Sequence, residues 1–152
     1  MVDIENKEAE VVIKNHVGGI TNQSWSPDGQ KILYGYKRAI ISYNFSTKKT
    51  QKLVNGDWCG WSPNGNWIAY LDGNKINIIN PNNLEKQMLV ENGNISIPIY
   101  WLPNGEYILY GVFSSSHAEV GSPYVIRLRD KQIESMPVMI WALASWANSK
   151  VT

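Results

Sequence analysis

Few side chains in this sequence have the chemistry for catalysis or metal binding. There are two histidines, His16 and His117, and one cysteine, Cys59. A metal site or a histidine general base needs partners at suitable spacing, and no His-x-x-x-His or Cys-x-x-Cys pattern occurs. A nucleophilic thiolate needs an imidazole and an orienting group beside it. Cys59 follows Trp58 instead, a setting that reads as a buried structural thiol. Ser114-Ser115-Ser116 next to His117 has the composition of a nucleophile cluster, but a polar loop is the simpler reading. Asp57, Asp72, Glu91 and Glu119 stand in loop segments without calcium-loop spacing. Asn22, Asn44 and Asn94 each open an Asn-x-Ser/Thr triplet, read as coincidence in so Asn-rich a chain. The expectation is a chain with no catalytic residue, no metal and no cofactor.

Composition narrows the class. Of 152 residues, 43% are apolar and 18% charged, enough to build a core and unlike a disordered chain. The net charge of +1 supplies no basic stripe for nucleic acid and no pull toward an anionic membrane surface. No run approaches the roughly 18 apolar residues of a membrane span. Residues 1–10 lack the basic start and apolar stretch of a secretory signal. A soluble chain is therefore expected, its compartment left open, and a lone cysteine allows no internal disulfide. Seven Trp and eight Tyr against two Phe suit packed layers with one wet edge, and abundant Asn and Gly supply turns.

The elements that must hold these residues repeat. Ser24-Trp25-Ser26-Pro27-Asp28-Gly29 is followed by Ile32-Leu33-Tyr34-Gly35. Gly60-Trp61-Ser62-Pro63-Asn64-Gly65 is followed by Ile68-Ala69-Tyr70-Leu71, and Tyr100-Trp101-Leu102-Pro103-Asn104-Gly105 by Ile108-Leu109-Tyr110-Gly111. The Trp-to-Trp spacings, 36 and 40 residues, lie near the period of one four-stranded propeller blade, about 40–45 residues. In each unit a strand ends at the Trp. Pro presets the next turn position, Asp or Asn tolerates the one after, and Gly takes the left-handed position that closes the hairpin.

Second strands are predicted over 31–36, 67–71 and 107–113, third strands over 39–45, 75–79 and 124–128, and fourth strands over 51–54, 86–90 and 133–138. Val11–Asn15 stands where a preceding fourth strand would lie. Ser145-Trp146-Ala147-Asn148 weakly matches a new first strand, while residues 141–152 fit a short helix equally well. One all-β domain over 1–152 is expected, with units at about 18–56, 57–93 and 94–140 and partial strands at both ends.

These units resemble the TolB-like β-propeller repeat, whose signature is Trp-Ser-Pro-Asp-Gly followed by an apolar strand ending in Tyr. Residues 25–29 match in full, residues 61–65 carry Asn for Asp, and residues 101–105 also carry Leu for Ser. The resemblance covers roughly residues 11–140. It implies a bacterial propeller, exported or periplasmic and otherwise cytoplasmic, that serves as a binding platform for a protein or peptide. It also assigns the repeat scaffold to Trp25, Pro27, Gly29, Trp61, Pro63, Gly65, Trp101, Pro103 and Gly105, with the three Trp packed between adjacent blades. In relatives of the prolyl-oligopeptidase type the propeller gates a separate hydrolase domain. No Gly-x-Ser-x-Gly elbow of such a domain is present here.

Three units are fewer than the about four to eight blades of a closed propeller. Either two chains pair into a six-bladed ring, or the chain is a fragment of a longer array or a truncated relative. In propeller geometry the loops joining fourth to first and second to third strands share one face, opposite the Pro-Asp/Asn-Gly turns. Contacts to a partner are expected on that face from His16, Tyr36, Arg38, Asp57, Trp58 and His117, with Trp58 as an exposed anchor. A non-catalytic binding or scaffold role is the leading reading. The alternatives are the propeller portion of a prolyl-oligopeptidase-like peptidase and a lactonase- or lyase-type propeller enzyme. The last would need acids or metal ligands converging on the first strands, where Gln23, Ser24 and residues 97–100 supply none.

Overall fold

The structure, a computed structural model, describes residues 2–3, 8–9, 19–112 and 122–137. His16, His117, the 114–121 loop, the expected strand at 11–15 and residues 141–152 lie outside the described residues. Near the N-terminus β1 (Val2–Asp3) pairs with β2 (Glu8–Ala9). Three four-stranded antiparallel sheets follow, each with its strands side by side in chain order. The first blade is β3 (Thr21–Trp25), β4 (Lys31–Tyr36), β5 (Ala39–Asn44) and β6 (Lys49–Asn55). The second is β7 (Trp58–Trp61), β8 (Ile68–Asp72), β9 (Lys75–Ile79) and β10 (Lys86–Glu91). The third is β11 (Ile95–Trp101), β12 (Tyr107–Val112), β13 (Ser122–Arg127) and β14 (Ile133–Ser135). Among the described residues no helix is long and apolar enough to cross a membrane.

The same hairpin turn builds all three blades. The backbone N–H groups of Ser26, Ser62 and Leu102 donate to the carbonyls of Lys31, Trp67 and Tyr107 at 2.9, 2.8 and 2.9 Å. Gly29, Gly65 and Gly105 close the turns at φ of 68°, 73° and 70°, a region glycine enters without a Cβ clash. Side chains reinforce this frame in the first two blades. The Ser26 hydroxyl donates to Asp28 Oδ1 at 2.6 Å and accepts from the Lys31 N–H at 2.8 Å. Ser62 does the same with Asn64 Oδ1 at 2.8 Å and the Trp67 N–H at 2.9 Å. β8 opens at Ile68 and not at Trp67 as the sequence pattern predicts, because its partner β9 ends at Ile79, opposite Ile68. In the third blade Leu102 cannot make these bonds. Its turn keeps the backbone pair and the bond from the Glu106 N–H to Asn104 Oδ1 at 3.1 Å.

Alternation along the second blade creates two cores. Ile68, Tyr70 and Ile79, with Cys59, pack toward Leu33, Ile40, Leu53 and Val54 of the first blade. The opposite face presents Ala69, Leu71, Ile76, Ile78 and Leu89 to Ile99, Ile108, Tyr110 and Ile126 of the third. Period-2 side-chain direction is what lets one sheet feed both seams. Each fully buried Ile or Leu contributes about 1.5–3 kcal/mol, so these seams hold the blades together. Trp61 packs against the first core and its backbone N–H donates to Ser24 Oγ at 3.0 Å. Trp101 packs against the second. Trp25 departs from the expectation of burial between blades. It is 52% exposed, its ring stacked on Phe45 at 5.0 Å, because no described blade precedes it.

Candidate functional site

The expected loop face is assembled around one short hairpin. Lys37 and Arg38 join β4 to β5, and both adopt left-handed backbone conformations, with φ of 47° and 58°. A two-residue turn with both central residues left-handed matches the twist of the flanking strands, but such turns favour Asn-Gly. Two side chains with Cβ atoms in that region carry strain of about 1–3 kcal/mol each. The Lys37 ammonium lies 5.2 Å from the centre of the Tyr36 ring. The Gly56 N–H donates to the Arg38 carbonyl at 2.9 Å, tying the hairpin to the loop that enters the second blade. Gly56 allows that approach: a Cβ there would sit 2.8 Å from Ile40 Cδ1 and from the Leu71 carbonyl oxygen.

Fixed in this way, the loop carries Asp57 up to Arg38. Arg38 Nε lies 3.6 Å from Asp57 Oδ1, and Arg38 Nη2 lies 3.5 Å from Asp72 Oδ1. Asp57 is held from both sides. Its N–H donates to the Leu71 carbonyl at 2.8 Å, and its own carbonyl accepts from Asn22 Nδ2 at 2.8 Å. Farther along the same loops, Lys75 Nζ lies 3.5 Å from Glu91 Oε1, and the Asn92 N–H donates to the Asn74 carbonyl at 3.0 Å. The Arg38 side chain is two-thirds exposed and its two carboxylates about half exposed. Ion pairs so wet contribute about 0–1 kcal/mol to stability, so the cluster is not what holds the blades together. It is a set of donors and acceptors that can exchange their partners for those of a ligand.

Of the expected contact residues, Arg38 and Asp57 meet, and Tyr36 adjoins them through Lys37. Trp58 does not stand out as an anchor. It is half-buried against the core between the second and third blades, its ring so close over Gly60 that a Cβ there would lie 2.9 Å from it. The strand pairing puts Trp58, Leu71, Gly60 and Ala69 on one face, which directs this Trp into the seam. Asp72, Asn22 and Lys37 belong to the cluster and stand outside the expected contacts. Asp72 could be found from its place in an Asp-Gly turn on the same face. Nothing in the sequence marks Asn22.

Cys59 lies deep in the first seam, and burial pushes its thiol up to about 12. Its thiol points to the Asn22 carbonyl oxygen at 3.5 Å. Burial, and then the Asp72 carboxylate, raise the Tyr70 phenol above its ordinary value. Among the described residues no three His, Cys, Asp or Glu side chains are grouped to hold a metal.

No known protein-family profile matches the chain. Dipeptidyl peptidase 4 of Sus scrofa is 26% identical over 136 residues, a match that takes in 67% of this chain and 18% of that protein. A solved TolB from Agrobacterium tumefaciens superposes with a TM-score of 0.68 at 16% identity, over 82% of this chain and 50% of that one. TolB from Acinetobacter baumannii does so with a TM-score of 0.67 at 17% identity, over 88% of this chain and 36% of that one. This chain has the β-propeller fold. The two solved TolB structures share that fold. The propeller described here spans half or less of the length of each of these relatives. The loop cluster at Arg38 therefore bridges two neighbouring propeller blades.

Proposed function

We propose that this propeller is a non-catalytic binding module whose loop face, centred on Arg38, takes a protein or peptide partner. One observation carries the reading. A strained Lys37-Arg38 hairpin holds a two-thirds-exposed guanidinium between carboxylates of the next blade, although those pairs stabilise the fold little. A carboxylate on a partner can replace Asp57 or Asp72 at the guanidinium fork. Backbone N–H groups of a partner can bond to the acids thus released. Tyr36 adds an amphipathic ring beside them.

The test is selection of a displayed peptide library on the whole chain. Enriched peptides should bind the Arg38→Ala variant at least about tenfold more weakly, a loss of about 1.4 kcal/mol. Binding to Lys48→Ala, altered in a turn outside this cluster, should be unchanged. Equal affinity for the Arg38→Ala variant would overturn the assignment of this face.

A second reading is favoured by the likeness to dipeptidyl peptidase 4. In it the chain is the propeller portion of a prolyl-oligopeptidase-like peptidase, and the same face neighbours a hydrolase domain. A longer reading frame carrying a Gly-x-Ser-x-Gly elbow would favour this reading over the first.

A further inference from the structure

Four Asn-Gly pairs occur in the chain, at 55–56, 64–65, 92–93 and 104–105. An asparagine before glycine can lose its side-chain amide, because no Cβ shields the backbone nitrogen that attacks it. That nitrogen attacks after losing its proton, so a hydrogen bond from the glycine N–H protects the pair. The fold distributes this protection unequally. The Gly56 N–H donates to the Arg38 carbonyl at 2.9 Å, and the Gly65 and Gly105 N–H groups donate to the Ser62 and Leu102 carbonyls, each at 2.9 Å. The Gly93 N–H donates to no described residue. Asn92, Gly93 and Asn94 are also exposed, whereas Gly56 and Gly105 are buried.

The loop from β10 to β11 poses Asn92 for this reaction. Its N–H donates to the Asn74 carbonyl at 3.0 Å, and its Oδ1 accepts from the Asn94 N–H at 3.2 Å. The ring closed by this second bond contains the Gly93 nitrogen, and the bond polarises the Cγ carbonyl toward attack. Asn64 and Asn104 accept equivalent bonds from the Asn66 and Glu106 N–H groups. What sets Asn92 apart is therefore the unengaged, exposed nitrogen after it.

We infer that Asn92 is a site of spontaneous modification, converted by water to aspartate and isoaspartate while the chain is folded. Hydroxide takes the Gly93 amide proton, and the nitrogen bonds to Asn92 Cγ. The Cγ–Nδ2 bond breaks and ammonia leaves, closing a succinimide. Water then opens either of its two carbonyl–nitrogen bonds. Opening at Cγ gives aspartate, and opening at the main-chain carbonyl gives isoaspartate. Either acid is ionised at neutral pH, since an aspartate titrates at about 3.9. The new charge stands next to Glu91, whose Oε1 lies 3.5 Å from Lys75 Nζ. The loop face thus gains negative charge with age. The modification does not depend on the partner proposed for that face.

The experiment is incubation of the whole chain in mildly alkaline buffer, followed by peptide mapping with mass spectrometry. The peptide containing Asn92 should change first, giving two products of equal mass that elute separately. The peptides containing Asn55, Asn64 and Asn104 should lag several-fold. In urea the four pairs should react at similar rates, which shows that the fold sets the order. Gly93→Ala adds a Cβ that meets no atom within 4 Å and needs no left-handed backbone, so this variant should fold normally. It should slow the change at Asn92 several-fold. Reaction at Asn55, Asn64 or Asn104 as fast as at Asn92 in the folded chain would overturn the inference. So would an Asn92 that reacts in urea and stays intact in the folded chain.

Discussion

The indole N–H of Trp101 donates to the carbonyl oxygen of Gly60 at 3.0 Å, across the seam between the third and second blades. Gly60 is buried beneath the Trp58 ring, so its carbonyl has a poor path to water. The bond therefore joins a residue that marks one repeat to the strand that opens the repeat before it. A motif that sets the local hairpin also fixes how successive blades register.

Trp101→Phe should keep most of the buried ring and lose this donor. Gly60 pairs with Ala69 in the β7–β8 ladder, so its carbonyl keeps a strand partner and the loss should be that of one hydrogen bond, about 0.5–1.5 kcal/mol. Urea unfolding should show a lower midpoint with an unchanged slope. An unchanged midpoint would mean that the bond contributes nothing net.

The turn glycines should differ in their sensitivity. A Cβ on Gly65 would meet only Pro27, at 3.8 Å, so Gly65→Ala should cost the left-handed strain alone, about 1–2 kcal/mol. A Cβ on Gly105 would lie 2.7 Å from Asn64 Nδ2. The Asn64 side chain would have to move, although its Oδ1 accepts from the Ser62 hydroxyl and the Asn66 N–H. Gly105→Ala should therefore lower the melting temperature more than Gly65→Ala does, which differential scanning of the two variants can check.

Acid should weaken the first turn. The Ser26 hydroxyl, then the Gln30 N–H, hold the Asp28 carboxyl below its usual 3.8. A carboxyl depressed in the folded state favours folding above its unfolded value and loses that contribution as pH falls through the folded one. Stability should thus decline on acidification below 3.8, in part through Asp28. Asp28→Asn keeps an oxygen acceptor, as Asn64 does in the second blade, and should flatten that acid limb. A residual slope should remain from Asp130, which Arg127 holds below its ordinary value. Chemical unfolding at a series of acidic pH values measures both slopes. Parallel curves for the wild type and the variant would rule out the Asp28 contribution.

Much of the fold was legible because a propeller blade is built from local contacts. Trp-Ser-Pro-Asp-Gly specifies a turn whose bonds span five residues, from Ser26 to Lys31. The apolar alternation in Lys75–Ile79 reads as a half-buried strand, and that strand is present as β9. One strand limit differs from the pattern where the partner strand runs out: β9 ends at Ile79, opposite Ile68, so β8 does not reach Trp67. The face bearing Arg38 and Asp57 was legible too, because loop type fixes the side of a blade on which a loop emerges.

The residue pattern by itself determined the turn chemistry of the three described blades and the seam positions of Trp61 and Trp101. Hydrogen bonds a few residues apart depend on local order alone, which is why a linear pattern could specify them. Only the tertiary structure decided that Arg38 lies between Asp57 and Asp72, residues 19 and 34 positions away. It also decided that Trp58 turns into a core and that Trp25 has no described blade to cover it. Those outcomes depend on which surfaces of separate sheets come to face each other, and no local periodicity encodes the packing of one sheet on the next.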